Sequence, residues 1–291
     1  MIIQIIRILL SFLVLNNVYA AAFQTTIPLE FNTGNPAPYG LPSTVITIQG
    51  KTFPMIVDTG AKHSAITLTK YALQNIHVKF TGEQKCFKAL DGRHCQNIFV
   101  IPEVRIGDFV VKNVKGSLMT KLWGGGDSGF KETEASRNGV IGYQLLSKFN
   151  LLLDYPHSKA ILTKLNNPIG YDVNQWIAVP FNGHLQSHLI VNNKPVIFVW
   201  DTGAVPSGIK KSIVTSFPKI QCSDEAPYNK NNCVRIETYS FKTDAGNILP
   251  KTWFELSDIP SWAPFDGLIG SNFYKEHLVY FNFDKKFIYI K

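Results

Sequence analysis

The 291-residue chain carries one motif twice, in the same setting. Residues 45–51 read Val-Ile-Thr-Ile-Gln-Gly-Lys, and six residues later comes Asp58-Thr59-Gly60-Ala61. Residues 188–194 read His-Leu-Ile-Val-Asn-Asn-Lys, and again six residues later comes Asp201-Thr202-Gly203-Ala204. Downstream the echo continues. Gly139-Val140-Ile141-Gly142, followed by residues 148–154, matches Gly267-Leu268-Ile269-Gly270, followed by residues 276–282. A sequence repeated at this length implies two similar structural units, and any fold proposed for the chain has to be made twice.

Each copy opens with β-rich apolar runs broken by a two-residue turn, Gln49-Gly50 or Asn192-Asn193, where the positive φ of a hairpin favours Gly and Asn. The spacing therefore predicts a hairpin whose second strand, residues 53–57 or 196–200, is apolar throughout and ends on the acid. A short helix and a strand are expected after each Gly-apolar-apolar-Gly segment. A second pair of hairpin signals, residues 87–92 and 241–246, places a loop in each half. Residues 123–138, with Gly124-Gly125-Gly126, show no apolar period and read as an exposed loop. That loop lacks the Gly-Lys-Ser/Thr ending of a phosphate loop. The fold class expected is all-β, two pseudo-symmetric barrel-like lobes with a few short helices. The domain reading is a signal segment at 1–22, a first lobe at 23–166 and a second at 167–291, divided in the polar stretch around Pro168.

Apolar residues make up 45% and charged residues 17%, which excludes a disordered chain. The first 22 residues hold Arg7, an apolar run over 8–15 and Ala20-Ala21-Ala22, the layout of a cleavable secretory signal. The rival reading, a retained membrane anchor, asks for roughly 20 uninterrupted apolar residues. The chain is accordingly expected outside the cytosol, secreted or periplasmic, with no stable membrane anchor after cleavage. Four cysteines form two local pairs, Cys86 with Cys95 and Cys222 with Cys233, read as two short disulfide loops in an oxidising compartment. The net charge of +8 is scattered along the chain, which gives no support to nucleic-acid binding and leaves attraction to acidic surfaces or substrates as a secondary reading.

A buried carboxylate is expensive unless it is paired. Two carboxyl groups about 3 Å apart cannot both ionise, so one holds a proton while the other acts as a base. Such a pair activates a water and polarises a carbonyl with no covalent intermediate. Asp58 and Asp201 are the expected catalytic acids. Gly60 and Gly203 allow the sharp turn beside each, and the hydroxyls of Thr59 and Thr202 can bridge to the opposite loop. No cofactor and no metal are expected. The competing reading of each Asp-Thr-Gly, a turn-capping Asp, is the commoner job of Asp beside Gly but does not explain two copies in register.

On these residues the chain resembles the aspartic proteases, with a pepsin-like bilobed layout and the Asp-Thr-Gly-Ala form of retropepsin-like domains, over about residues 24 to 291. The resemblance implies an exported endopeptidase, with a peptide or protein as substrate, working as a monomer. It implies catalytic Asp58 and Asp201, bracing Thr59 and Thr202, and a flap whose tip is Ala89, Leu90, Asp91, Gly92 and Arg93. The alternative is a catalytically silent peptide-binding protein on the same fold. Two departures bear on chemistry. Pepsin-like members usually carry Ser or Thr where this chain has Ala61 and Ala204, and losing that hydroxyl bond should raise the pKa values of the pair. The pepsin-like flap tyrosine also has no counterpart: Tyr71 lies too close to Asp58, and Phe87 begins the hairpin.

Three further features are weighed. His184 and His188 are four apart, but the segment reads as strand, and the metal-binding version of that spacing needs a helix. His63 and Ser64 follow the first acid without a nucleophile elbow and read as loop or surface groups. Trp200 reads as core packing before it reads as a subsite wall.

Overall fold

The computed structural model describes residues 23–31, 40–90, 92–119, 132–221 and 234–291. The signal segment at 1–22, the flap residue Asp91, the triple glycine at 124–126, and Cys222 and Cys233 lie outside the described residues.

The repeat in the sequence is a repeat in topology. In the first half, strands Pro42–Ile48 and Lys51–Asp58 form the expected hairpin, with Gln49 and Gly50 at φ +52° and +76°. In the second half, Gln186–Val191 and Lys194–Trp200 do the same around Asn192 and Asn193, at φ +48° and +66°. Each acid-bearing strand then pairs in parallel with the downstream glycine segment: Val57 opposite Ile141, Trp200 opposite Ile269. A short strand, Ile66–Leu68 or Gly208–Lys210, pairs antiparallel on the far side of that segment. Each of these short strands runs parallel to a further one, Phe109–Leu118 or Trp253–Ser257. The outcome is an eight-stranded sheet in each half. The glycine segments lead into the expected short helices, Tyr143–Leu146 and Ser271–Tyr274, and then into strands Asn150–Asp154 and Leu278–Asn282.

Those last two strands join the halves. They pair antiparallel, Leu152 opposite Tyr280, at the centre of a six-stranded sheet to which both halves contribute. Tyr280 and Asn282 also donate to the carbonyl of Asn166, at 2.9 and 2.8 Å. One continuous apolar core runs through the molecule, from Ile48, Met55 and Phe99 to Trp200, Phe254 and Phe281. Trp200 is fully buried, its indole N–H donating to Ser187 Oγ at 3.0 Å, so it is core, as expected from its size.

Two expectations need correction. Residues 134–138 are not exposed loop: they form the helix Glu134–Asn138, started by a capping box in which the Thr133 hydroxyl accepts from Ser136 N–H and Ser136 Oγ accepts from Thr133 N–H. A one-turn helix has too few residues to show a period, and its apolar side is only Ala135. Asn138, buried, donates its side-chain amide to Pro54 O and ties the helix to the acid-bearing strand. The two later hairpin signals are also unequal. The first becomes the long hairpin Lys79–Ala89 with Gly92–Ile106, whereas the second yields only strand Phe241–Thr243 and a bridge from Lys242 to Ile248.

Candidate active site

Asp58 ends its strand and Asp201 directly follows its own, and the two motifs meet although 143 residues separate them. Four hydrogen bonds with approximate two-fold symmetry clamp the loops together. Thr59 Oγ1 donates to Trp200 O at 2.8 Å and accepts from Thr202 N–H at 2.9 Å; Thr202 Oγ1 donates to Val57 O at 2.7 Å and accepts from Thr59 N–H at 3.0 Å. Both threonines are almost wholly excluded from solvent, so these bonds satisfy backbone groups that have no water to turn to.

The clamp brings the carboxyl groups of Asp58 and Asp201 within hydrogen-bonding reach of each other. Asp58 Oδ1 accepts from the N–H of Gly60 at 2.8 Å and of Ala61 at 3.0 Å, and Asp201 Oδ1 accepts from Gly203 N–H at 2.8 Å. These bonds favour the charged form, but burial outweighs them. Burial first, and then the charge of Asp201, holds Asp58 well above the usual carboxylate range; burial also raises Asp201. The pair therefore titrates as a unit and retains one proton far into the range where isolated carboxyls have lost theirs. The glycines are required by this closeness: a Cβ on Gly203 would stand 2.7 Å from Asp58 Cγ, and one on Gly60 would fall inside the Asp201 carboxyl.

Other groups near the acids keep the surroundings poorly hydrated. The phenols of Tyr155 and Tyr274, ring centroids 5.5 Å apart, are raised well above the usual tyrosine range, first by burial. Both stay neutral, and neither was visible as a site neighbour in the sequence, because each lies at the end of a β-to-helix segment that reads as ordinary core.

Of the proposed flap residues, Ala89 ends one strand of the long hairpin and Gly92, at φ +130°, begins the other, with Leu90 exposed at the turn and Arg93 opposite Lys88. Cys86 and Cys95 face each other across this hairpin and are joined as a disulfide. The hairpin leans on both halves. Phe87 stacks on His63 of the loop after Asp58, ring centroids 4.3 Å apart, and Lys88 Nζ sits 4.1 Å above the ring of Trp262 in the second half. Cation–π and stacking contacts thus tie the hairpin to both halves. Tyr71 lies exposed, next to Arg137. His188 sits in a strand as read, whereas His184 lies in the turn ahead of it, and among the described residues no group of three or more His, Cys, Asp or Glu side chains could hold a metal ion. Ser64 is buried and hydrogen-bonded to Thr67 and Ser117, a structural role rather than a surface one.

Residues 44–145, which contain the first acid and the long hairpin, match the family model described as "Aspartyl protease". A comparison with curated proteins finds no match. The match covers about a third of the chain, and the mostly β, barrel-like architecture of the described residues is consistent with the aspartic protease fold.

Proposed function

We propose that the protein is an exported aspartic endopeptidase in which Asp58 and Asp201 activate water against a peptide bond. The observation that carries this reading is the buried carboxyl pair, clamped by Thr59 and Thr202 and sharing a proton. The ionised member removes a proton from a water held between the two groups, and the oxygen of that water bonds to the scissile carbonyl carbon. The protonated member donates to the carbonyl oxygen as it becomes tetrahedral. Collapse of this intermediate breaks the C–N bond as the amine nitrogen takes up a proton, and the pair returns to its starting state with one proton. The backbone N–H groups of Gly60, Ala61 and Gly203 keep the carboxyls oriented throughout.

The hairpin that bears Ala89 to Arg93 is the flap in this reading, covering a bound peptide and excluding solvent. One chain supplies both acids, so a monomer suffices. The signal reading of residues 1–22 and the disulfide in the hairpin support export to an oxidising compartment.

The test is hydrolysis of a diverse peptide mixture by the purified protein across pH, with and without a statine-type mimic of the tetrahedral intermediate. Asp58→Asn and Asp201→Asn are each expected to abolish cleavage with folding retained. Unchanged turnover in either variant removes that acid from the mechanism. Tight binding of the mimic without cleavage by the wild type identifies a silent peptide-binding protein instead.

A further inference from the structure

The loop after Asp58 leads into a cavity of about 310 Å³ with walls that include His63, Ser64, Glu83, Lys85, Lys115 and Gln144. These come from four places in the chain: the loop itself, the two strands Lys79–Ala89 and Phe109–Leu118, and the helix following Gly142. Hydrogen bonds hold the arrangement. Lys85 Nζ donates to His63 O at 3.2 Å, and Gln144 Nε2 donates to Lys62 O at 3.2 Å. The second half adds His184, whose ring meets Tyr143 edge-on with centroids 5.3 Å apart.

The charge in this place is one-sided. Lys85 and Lys115 put two positive charges in its wall, Lys62 precedes His63 in the same loop and acts on its ring, and His63 and His184 are both held below the usual imidazole range, by burial first. The opposing acid at the cavity is Glu83. None of the three lysines forms an ion pair with a carboxylate among the described residues. The electrostatic consequence is visible at the half-buried His63, pushed down to about 4 by burial first and then by Lys62, Lys85 and His184. Gathering unpaired cations on one wall is unfavourable for folding and favourable for capturing an anion.

We propose that this cavity is a substrate subsite for an acidic side chain, with Lys85 and Lys115 receiving the carboxylate of an Asp or Glu. The proposal rests on the peptidase reading for its placement. The tight turn from Asp58 to Ala61, closed by the Ala61 N–H on Asp58, leads into the loop that bears His63, and His63 stacks on Phe87 of the hairpin read as the flap, so the cavity lies between that loop and that hairpin. An extended peptide advances about 3.3 Å per residue, so a fixed subsite beside the cleft selects a side chain at one fixed position relative to the cleaved bond. The class of substrate is thus a peptide with an acidic residue at a fixed distance from the scissile bond, on the side of the cleft bounded by the loop after Asp58.

The experiment uses matched peptides that differ only by Glu or Gln, scanned over three positions on each side of the cleaved bond. The wild type is expected to favour Glu at one position by about tenfold in kcat/KM, equivalent to about 1.4 kcal/mol. The preference should shrink between low and high salt, because Lys85 and Lys115 are exposed. Lys85→Glu and Lys115→Glu should each lower the Glu/Gln ratio toward one. A parallel arm measures binding of the same peptides with a reduced, uncleavable bond, by fluorescence anisotropy. Discrimination in binding without cleavage supports the subsite and sinks the peptidase reading; cleavage with a ratio within twofold at every position sinks the subsite alone. A preference untouched by both charge reversals, or absence of discrimination in both arms, also overturns it.

Discussion

The clamp between the two acid-bearing loops makes Thr202→Val an informative substitution. Valine keeps the shape and the β-branch of threonine but has no hydroxyl, and the site is fully buried. The change removes the bond donated to Val57 O at 2.7 Å and the acceptor of Thr59 N–H at 3.0 Å. Each buried backbone group left without its partner costs about 1–3 kcal/mol, so the loss should be about 2–6 kcal/mol. For a chain of this size, about 2–4 °C per kcal/mol turns this into a fall in melting temperature of roughly 4–24 °C. Thr202→Ser keeps both bonds and gives up only a methyl group, about 1 kcal/mol. Thermal unfolding of the three proteins, with peptide hydrolysis measured beside it, tests the reasoning. A valine variant within 1 kcal/mol of wild type, or a serine variant as damaged as the valine one, would refute it: the hydroxyls would then be passengers and the loops would be held by packing alone. Activity should fall further than stability in the valine variant, because a displacement of about 1 Å at reacting groups can cost about a hundredfold in rate.

Two further predictions concern the proton held by the acids. Burial raises Asp58 in the folded state, so its unfavourable contribution is absent below the ordinary carboxylate pKa and grows as pH rises through the folded value. Asp58→Asn should therefore match the wild type in melting temperature in acid and exceed it increasingly toward neutral pH; a difference independent of pH would contradict this account. In the pH profile of peptide hydrolysis, Ala61 and Ala204 offer no hydroxyl to the charged carboxyls, and both acids are raised by burial. The active window should accordingly extend toward neutrality, and an optimum near pH 2 would show that the charged form is better stabilised than these contacts allow.

Most of what the sequence disclosed was local and written twice. Hairpin turns at Gln49-Gly50 and Asn192-Asn193, apolar strands ending on an acid, and the glycine segment leading into helix and strand all depend on neighbours in the chain. The duplication itself gave the number of lobes and the pairing of the acids, because two units with the same requirement satisfy it most simply against each other. The helix Glu134–Asn138 escaped notice because a capping box in a polar stretch resembles a loop. The disulfide across the hairpin followed from the spacing of Cys86 and Cys95 once that segment is read as two strands.

Amino-acid order alone thus determined the elements, their twofold repetition and the two acids, since these follow from period, turn chemistry and motif. The tertiary structure decided the rest: which hydroxyl reaches which carbonyl across 143 residues, that burial raises the acids, and that Lys85 and Lys115 line one cavity with His63. Those properties depend on distance in space between segments remote in the chain. Burial and Coulombic energies are set by that distance, whereas periodicity records only how each segment meets its own neighbours.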